Sequence, residues 1–237
     1  MKVIKTDLSG DFDEAIQEAI AVLKMGGTIV YPTDTLYALG ANGLEIGPVE
    51  RIFKVKQRPT SRPLPIAVKN MDWAKELAFI YGKEKKVLEK VWPAPHLISA
   101  GAESAKDAKH MTKSSEGPGQ VTVVLPKRTI VPDILTSGRP SVAMRIINSS
   151  FVDRLLGKFG YPITSTSANI SNELPSNKIL DIIERFEKSD FKPDLIIDAG
   201  DLKESGPSTI LDLTSGKPKI LRVGLSNPKK LLELLKL

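Results

Sequence analysis

TSTSANIS, residues Thr164–Ser171, is almost wholly polar, yet it follows Tyr161-Pro162-Ile163, which reads as the start of a core strand. The next helix signal begins only at about Asn177. On an extended backbone Ser165, Ser167 and Asn169 share one face, because strand side chains alternate with a period of two. Short hydrogen-bonding groups gathered at a strand end commonly line a ligand crevice in α/β proteins. The same composition suits a Ser/Thr-rich loop whose hydroxyls cap nearby backbone groups.

Outward from this stretch, strands and helices alternate. Ala15, Ile16, Ala19, Ile20 and Leu23 form a helical stripe, opened by a capping box of Asp11 and Glu14 and ended by Gly26-Gly27. Thr28–Tyr31 reads as a short buried strand running into Pro32-Thr33-Asp34-Thr35. Pro48 suits the first position of a helix that buries Val49, Ile52 and Phe53 and must end before Pro59, so its last turns project Lys54, Lys56 and Arg58. Leu64–Val68, Val121–Leu125, Ser141–Ile147 and Leu195–Ile197 read as strands. Asp72–Val91 reads as one or two helices broken near Tyr81-Gly82, residues 151–159 as a helix closed by Gly160, and Ile179–Phe186 as another. Ser208–Leu213 and Lys219–Val223 form a hairpin pattern, and a last amphipathic helix starts at Pro228. This order predicts an α/β (α+β) fold, a single domain over residues 1–237 with an open, twisted mixed sheet flanked by helices. Residues 94–119 stand apart as a polar insert without sustained apolar periodicity, and Ala94–Glu116 within it is expected to be a mobile surface segment.

Composition narrows the chemistry. The 237 residues include no cysteine, which excludes disulfides, zinc–thiolate sites and thiol catalysis and makes a reducing, cytoplasmic setting the expectation. With two histidines, His96 and His110, neither a Ser/His/Asp triad nor a multi-histidine metal site is expected, and no protein-held metal is assigned. The first residues lack an apolar leader, and no stretch reaches the ~18 apolar residues of a membrane span, so no membrane partner is expected. The net charge of +6 favours an anionic partner, nucleotide or RNA, although a solvated lysine face accounts for it equally well.

Three clusters carry the chemistry: Thr33-Asp34-Thr35 after one strand, Lys56-x-Arg58 at a helix end, and Ser167-x-Asn169 after another strand. Lysine offers a point charge and arginine a planar fork, the pair suited to a polyphosphate whose charge shifts during transfer. Serine and asparagine satisfy phosphate oxygens, ribose hydroxyls or a base edge without adding charge. Taken singly, Lys-x-Arg at a helix C-terminus is also what dipole complementation places there. Neither a P-loop nor a Gly-x-Gly-x-x-Gly fingerprint is present.

In order along the chain, GGTIVYPTDTLYALGANG, IFKVKQRPTSRPLPIAV, ITSTSANIS, PSTILDL and ILRVG resemble the YrdC family of L-threonylcarbamoyladenylate synthases, from about Ala15 to Gly224. The resemblance implies an open α/β sheet twisted around a large basic cavity. It also implies an enzyme that joins L-threonine, bicarbonate and ATP, with Mg²⁺ on the phosphates, into threonylcarbamoyl-AMP and pyrophosphate. That product feeds tRNA t6A37 modification through a downstream threonylcarbamoyl-transferase complex. Residue by residue, Lys56, Arg58, Ser167 and Asn169 match the catalytic tetrad that holds the ATP phosphates; Thr60, Ser141, Ser176 and Arg222 match nucleotide-lining positions. Thr33, Arg145, Ser165 and Ser208 match positions that grip threonine, with Arg145 the partner for its carboxylate. The chain departs from the family pattern at Ser61-Arg62-Pro63-Leu64, at Ser171–Pro175 and at the insert, and it resembles the short form that lacks an extra C-terminal domain. Two other readings remain open: a module binding tRNA or double-stranded RNA, and a carbamoyl-transferring paralogue with a different acceptor.

Overall fold

The computed structural model describes residues 1–92, 120–203, 205–224 and 228–235; the 94–119 insert, with the stretch expected to be mobile, and both histidines lie outside them. The elements run β1 Lys2–Lys5, α1 Asp13–Lys24, β2 Ile29–Tyr31, β3 Ala38–Gly40, α2 Ile46–Val55, β4 Ile66–Ala67, α3 Met71–Leu77 and α4 Gly82–Val91. They continue as β5 Val121–Pro126, α5 Asp133–Thr136, β6 Ser141–Arg145, α6 Ser150–Phe159, β7 Ile163–Thr164 and β8 Thr166–Ser167. Last come α7 Ile179–Glu187, β9 Leu195–Asp198, β10 Thr209–Asp212, β11 Lys219–Arg222 and α8 Pro228–Leu235.

The fold is mixed α/β, as the alternation predicts, but the strands divide between two open mixed sheets, in the orders β1-β9-β2-β3-β8 and β11-β10-β5-β6-β4-β7. The seam between them is Ser165. Thr164 pairs with Ile66 in the six-stranded sheet, whereas Thr166 pairs with Leu39 in the five-stranded one. The Thr164 hydroxyl stitches the two together, donating to Leu39 O at 3.2 Å and accepting from Ala41 N–H at 3.0 Å.

Two apolar clusters support the sheets. In one, Ala15, Ile16, Ala19 and Leu23 of α1 meet Phe151, Val152, Leu155 and Leu156 of α6 beneath Ile29, Leu195 and Ile197. In the other, Val123, Leu125, Val142, Met144 and Leu211 of the six-stranded sheet pack with Ile52 of α2, Leu88 of α4 and Ile182 and Phe186 of α7. Each fully buried aliphatic side chain contributes ~1.5–3 kcal/mol relative to exposure. The expected box at Asp11 is not formed: α1 is preceded by Phe12, and Asp11 instead accepts the Asp13 N–H at 2.9 Å. The closing signals hold, with Gly160 left-handed at φ 85° after α6 and β10 and β11 antiparallel across their turn.

Candidate active site

Strand periodicity builds one wall of a cavity of about 600 Å³. Along β5, β6 and β10, Val123, Leu125, Val142, Met144 and Leu211 turn into the core. The alternate side chains, Thr122, Val124, Ala143, Arg145 and Ile210, line the cavity together with Ser208 just before β10. Tyr37, Ala38, Thr166 and Ser167 line it from the β3–β8 side. Among the described residues its lining carries six cations, Lys56, Arg58, Arg62, Arg139, Arg145 and Arg222, against one carboxylate, Glu173. Such an imbalance inside low-dielectric walls focuses field on a bound anion.

The Lys-x-Arg spacing is a consequence of how α2 stops. Arg58 N–H bonds Phe53 O at 2.9 Å and Gln57 N–H bonds Lys54 O at 3.0 Å, the paired bonds of a Schellman motif. Gln57 takes the left-handed position at φ 49° where glycine is usual. Lys56 is 2% exposed, and its Nζ donates to Ser167 O at 2.6 Å, Asn169 O at 2.9 Å and Asn169 Oδ1 at 2.9 Å. All three ammonium protons are thereby engaged. Burial, then the neighbouring Arg58 and Arg185, push its pKa down to about 7. Arg58 folds back on its own turn, donating from Nε to Arg62 O and from Nη2 to Pro63 O, both at 3.1 Å. Its pKa is lowered too, by burial and then by Arg62.

The polar stretch is tied to this helix end. Ser167 Oγ donates to Asn169 Oδ1 at 2.5 Å, Asn169 Nδ2 donates to Ile170 O at 3.0 Å and Glu173 O at 2.8 Å, and Ser171 N–H bonds Lys56 O at 2.8 Å. The Asn169 amide therefore has both donor protons and its oxygen in use within the protein. Arg58 and Ser167 retain capacity toward the cavity: the Nη1 protons of the one, the lone pairs of the other.

Arg145, at the end of β6, donates from Nη2 to Asp34 Oδ1 at 2.6 Å and from Nη1 to Thr35 Oγ1 at 3.1 Å. Its Nε is buried without a hydrogen-bond partner. Burial lowers its pKa, opposed by Asp34. Thr33 Oγ1 donates to Leu36 O at 2.6 Å, which bends the loop after β2. Ser208 Oγ lies 2.7 Å from Thr122 Oγ1, and Arg222 clamps Ser208 O through Nε at 3.2 Å and Nη2 at 2.9 Å.

Of the twelve residues singled out from sequence, nine line this one cavity: Thr33, Lys56, Arg58, Arg145, Ser165, Ser167, Asn169, Ser208 and Arg222. Three lie outside its lining. Thr60 is exposed between the lining residues Arg58 and Arg62; Ser141 opens β6; and the Ser176 hydroxyl is used locally, donating to Asp181 Oδ2 at 2.7 Å and accepting Lys178 N–H at 3.0 Å. Sequence reasoning assigned no role to Arg62, Arg139 or Glu173, and it placed Asp34 in a chemical cluster without its arginine partner. The PTDT turn holds Asp34 in plain view, but its partner is 111 positions away, and only the fold supplies that pairing.

No group of three His, Cys, Asp or Glu side chains is gathered to hold a metal among the described residues. Glu173 is itself paired with Arg185.

Comparison with known proteins places this geometry. The family profile described as Telomere recombination, named for Sua5, YciO and YrdC, matches residues 21–106 and 97–224. A threonylcarbamoyl-AMP synthase of Pseudoalteromonas translucida is 32% identical over 85% of this chain and 95% of its own length. That of Pyrococcus abyssi is 31% identical over 88% of this chain, which spans only 54% of that longer protein. Among solved structures, P. abyssi Sua5 complexed with L-threonine superposes with a TM-score of 0.75 at 28% identity, covering 98% of this chain and 60% of that one. E. coli YciO superposes with a TM-score of 0.74 at 26% identity over 98% of both chains. The chain belongs to the Sua5/YciO/YrdC family, whose members include threonylcarbamoyl-AMP synthases.

Proposed function

We propose that the protein is an L-threonylcarbamoyladenylate synthase, a nucleotidyltransferase acting on L-threonine, bicarbonate and ATP. The observation that carries this reading is that a buried Arg145 with an unpartnered Nε and the Lys56–Arg58 pair line one cavity. The first suits an amino-acid carboxylate, the second a polyphosphate. Threonine's amine captures carbon dioxide or bicarbonate as a carbamate, and a carbamate oxygen attacks the α-phosphorus of ATP as the bond to pyrophosphate breaks. No side chain serves as nucleophile; the protein contributes positioning and charge stabilisation. A Mg²⁺ carried by the nucleotide would neutralise part of the phosphate charge. Arg58 and Ser167 face the phosphates, Lys56 contributes its field while holding the Ser167–Asn169 loop, and Thr33, Ser165 and Ser208 shape the threonine end. The product would pass to a downstream threonylcarbamoyl-transferase complex for tRNA t6A37 modification.

Purified protein should release pyrophosphate only when threonine, bicarbonate, Mg²⁺ and ATP are all present, with no RNA, and Lys56→Ala should lower that rate by ~10²–10³-fold or more. Tight tRNA binding without pyrophosphate release would overturn the reading in favour of an RNA-binding module. RNA affinity is spread over many phosphate contacts, so in that case the same substitution would reduce the salt slope by only about one.

A further inference from the structure

The turn Ile170–Glu173 is the wall between two cavities. On its other side lies a second one of about 460 Å³, whose lining includes Gln57, Ile170, Glu173 and Arg185. Glu173 lines both; Arg185, from the last turn of α7, lines only the second. Arg185 Nε meets Glu173 Oε2 at 2.9 Å. Glu173 N–H closes the turn on Ile170 O at 3.1 Å, around Asn172 in the left-handed region at φ 73°. Glu173 O then receives Asn169 Nδ2 at 2.8 Å, and Asn169 Oδ1 receives Lys56 Nζ at 2.9 Å. The path from α7 to the ammonium group thus enters Glu173 at its carboxylate and leaves from its main-chain carbonyl.

We propose that Arg185 is a positioning residue, holding the Asn169 amide through Glu173 and, through Asn169, the Lys56 ammonium, without itself touching the ligand. The proposal rests on the reading of the main cavity as a nucleotidyl-transfer site. Stability alone does not account for an arginine here. The pair is partly open, its side chains 22% and 48% exposed, so screening leaves it little net worth. Arg185 Nη1 is buried with no partner, which costs stability rather than adding it.

The test is a double-mutant cycle of Arg185→Ala and Glu173→Gln, read by steady-state pyrophosphate release and by thermal unfolding. Each single variant should lower kcat by about tenfold with little change in the KM for threonine, and the double variant should lose no more than either one. Arg185→Lys should recover most of the rate. Unfolding midpoints should stay within about 2–4 °C of the parent. A second readout is independent of turnover: the Asn169 side-chain amide protons, followed by NMR, should exchange with solvent about tenfold faster in Arg185→Ala. Unchanged kcat, additive losses or unchanged amide exchange would overturn the proposal. If the parent protein releases no pyrophosphate while the amide exchange still responds to Arg185, the positioning contact stands and the enzymatic reading falls.

Discussion

Arg145 and Asp34 are joined through one arm of the guanidinium, at 2.6 Å, while the far oxygen of Asp34 accepts the main-chain N–H of Asn148 at 3.2 Å. The carboxylate thereby fixes the plane of the arginine, whose buried Nε has no hydrogen-bond partner. Replacing Arg145 by Ala should raise the threonine requirement far more than the ATP requirement, by a factor corresponding to ~2–4 kcal/mol. Initial-rate kinetics with each substrate varied in turn checks this. Movement of the ATP dependence alone would remove Arg145 from the threonine end.

The same pair also bears on stability. Its side chains are 8% and 12% exposed, so removing Asp34 strands a cation in a dry place. Asp34→Ala should destabilise the fold by about 3–5 kcal/mol in urea titrations. A loss below about 1 kcal/mol would mean that the guanidinium finds water or another partner.

Nucleotide binding should be linked to protons through Lys56. Its pKa is depressed to about 7, so above that pH much of the ammonium is deprotonated in the free protein. A nearby polyphosphate favours the charged form and raises the pKa, so binding near pH 8 should take up a proton, whereas near pH 6 the group is already charged and no uptake from it is expected. Calorimetry of ATP binding in two buffers of different ionisation enthalpy measures the uptake, with Lys56→Met as the control. Equal uptake in parent and control near pH 8 would place the phosphates out of reach of Lys56.

Gln57 in the left-handed region gives a backbone test. Gln57→Gly should be neutral or stabilising by up to about 1 kcal/mol, since glycine adopts this conformation without strain. Gln57→Val should cost ~1–3 kcal/mol and weaken ATP binding, because β-branching resists positive φ and the turn that separates Lys56 from Arg58 would shift. Equal melting temperatures for the two variants would mean that the Schellman geometry is not retained in solution.

Sequence periodicity found the long elements because they carry their own signals: α6 has an apolar stripe and a closing glycine, and β10–β11 a turn between two strand patterns. It missed β3, Ala38–Gly40, whose three residues are a strand only because β2 and β8 flank it. It read one sheet where there are two, because the crossing at Ser165 falls inside what looks like a single polar run. At the site, Lys-x-Arg and Ser-x-Asn were visible as patterns, but their mutual engagement was not. The fold brings Lys56 to Asn169 across 113 positions, and that contact turns two of the four tetrad side chains inward onto each other. The partners Asp34 and Glu173 are ordinary acidic residues until the fold delivers their arginines.

The seam at Ser165 separates the register of the core from the register of the site. Thr164 answers to Ile66, and Thr166, two residues later, to Leu39. A single inserted residue at this point would leave the pairing of β7 and the packing beneath it intact, yet would turn β8 over, exchanging its inward and outward side chains and directing the Ser167 hydroxyl away from the cavity. One added residue at this point would therefore empty the site of its serine in a protein that still folds.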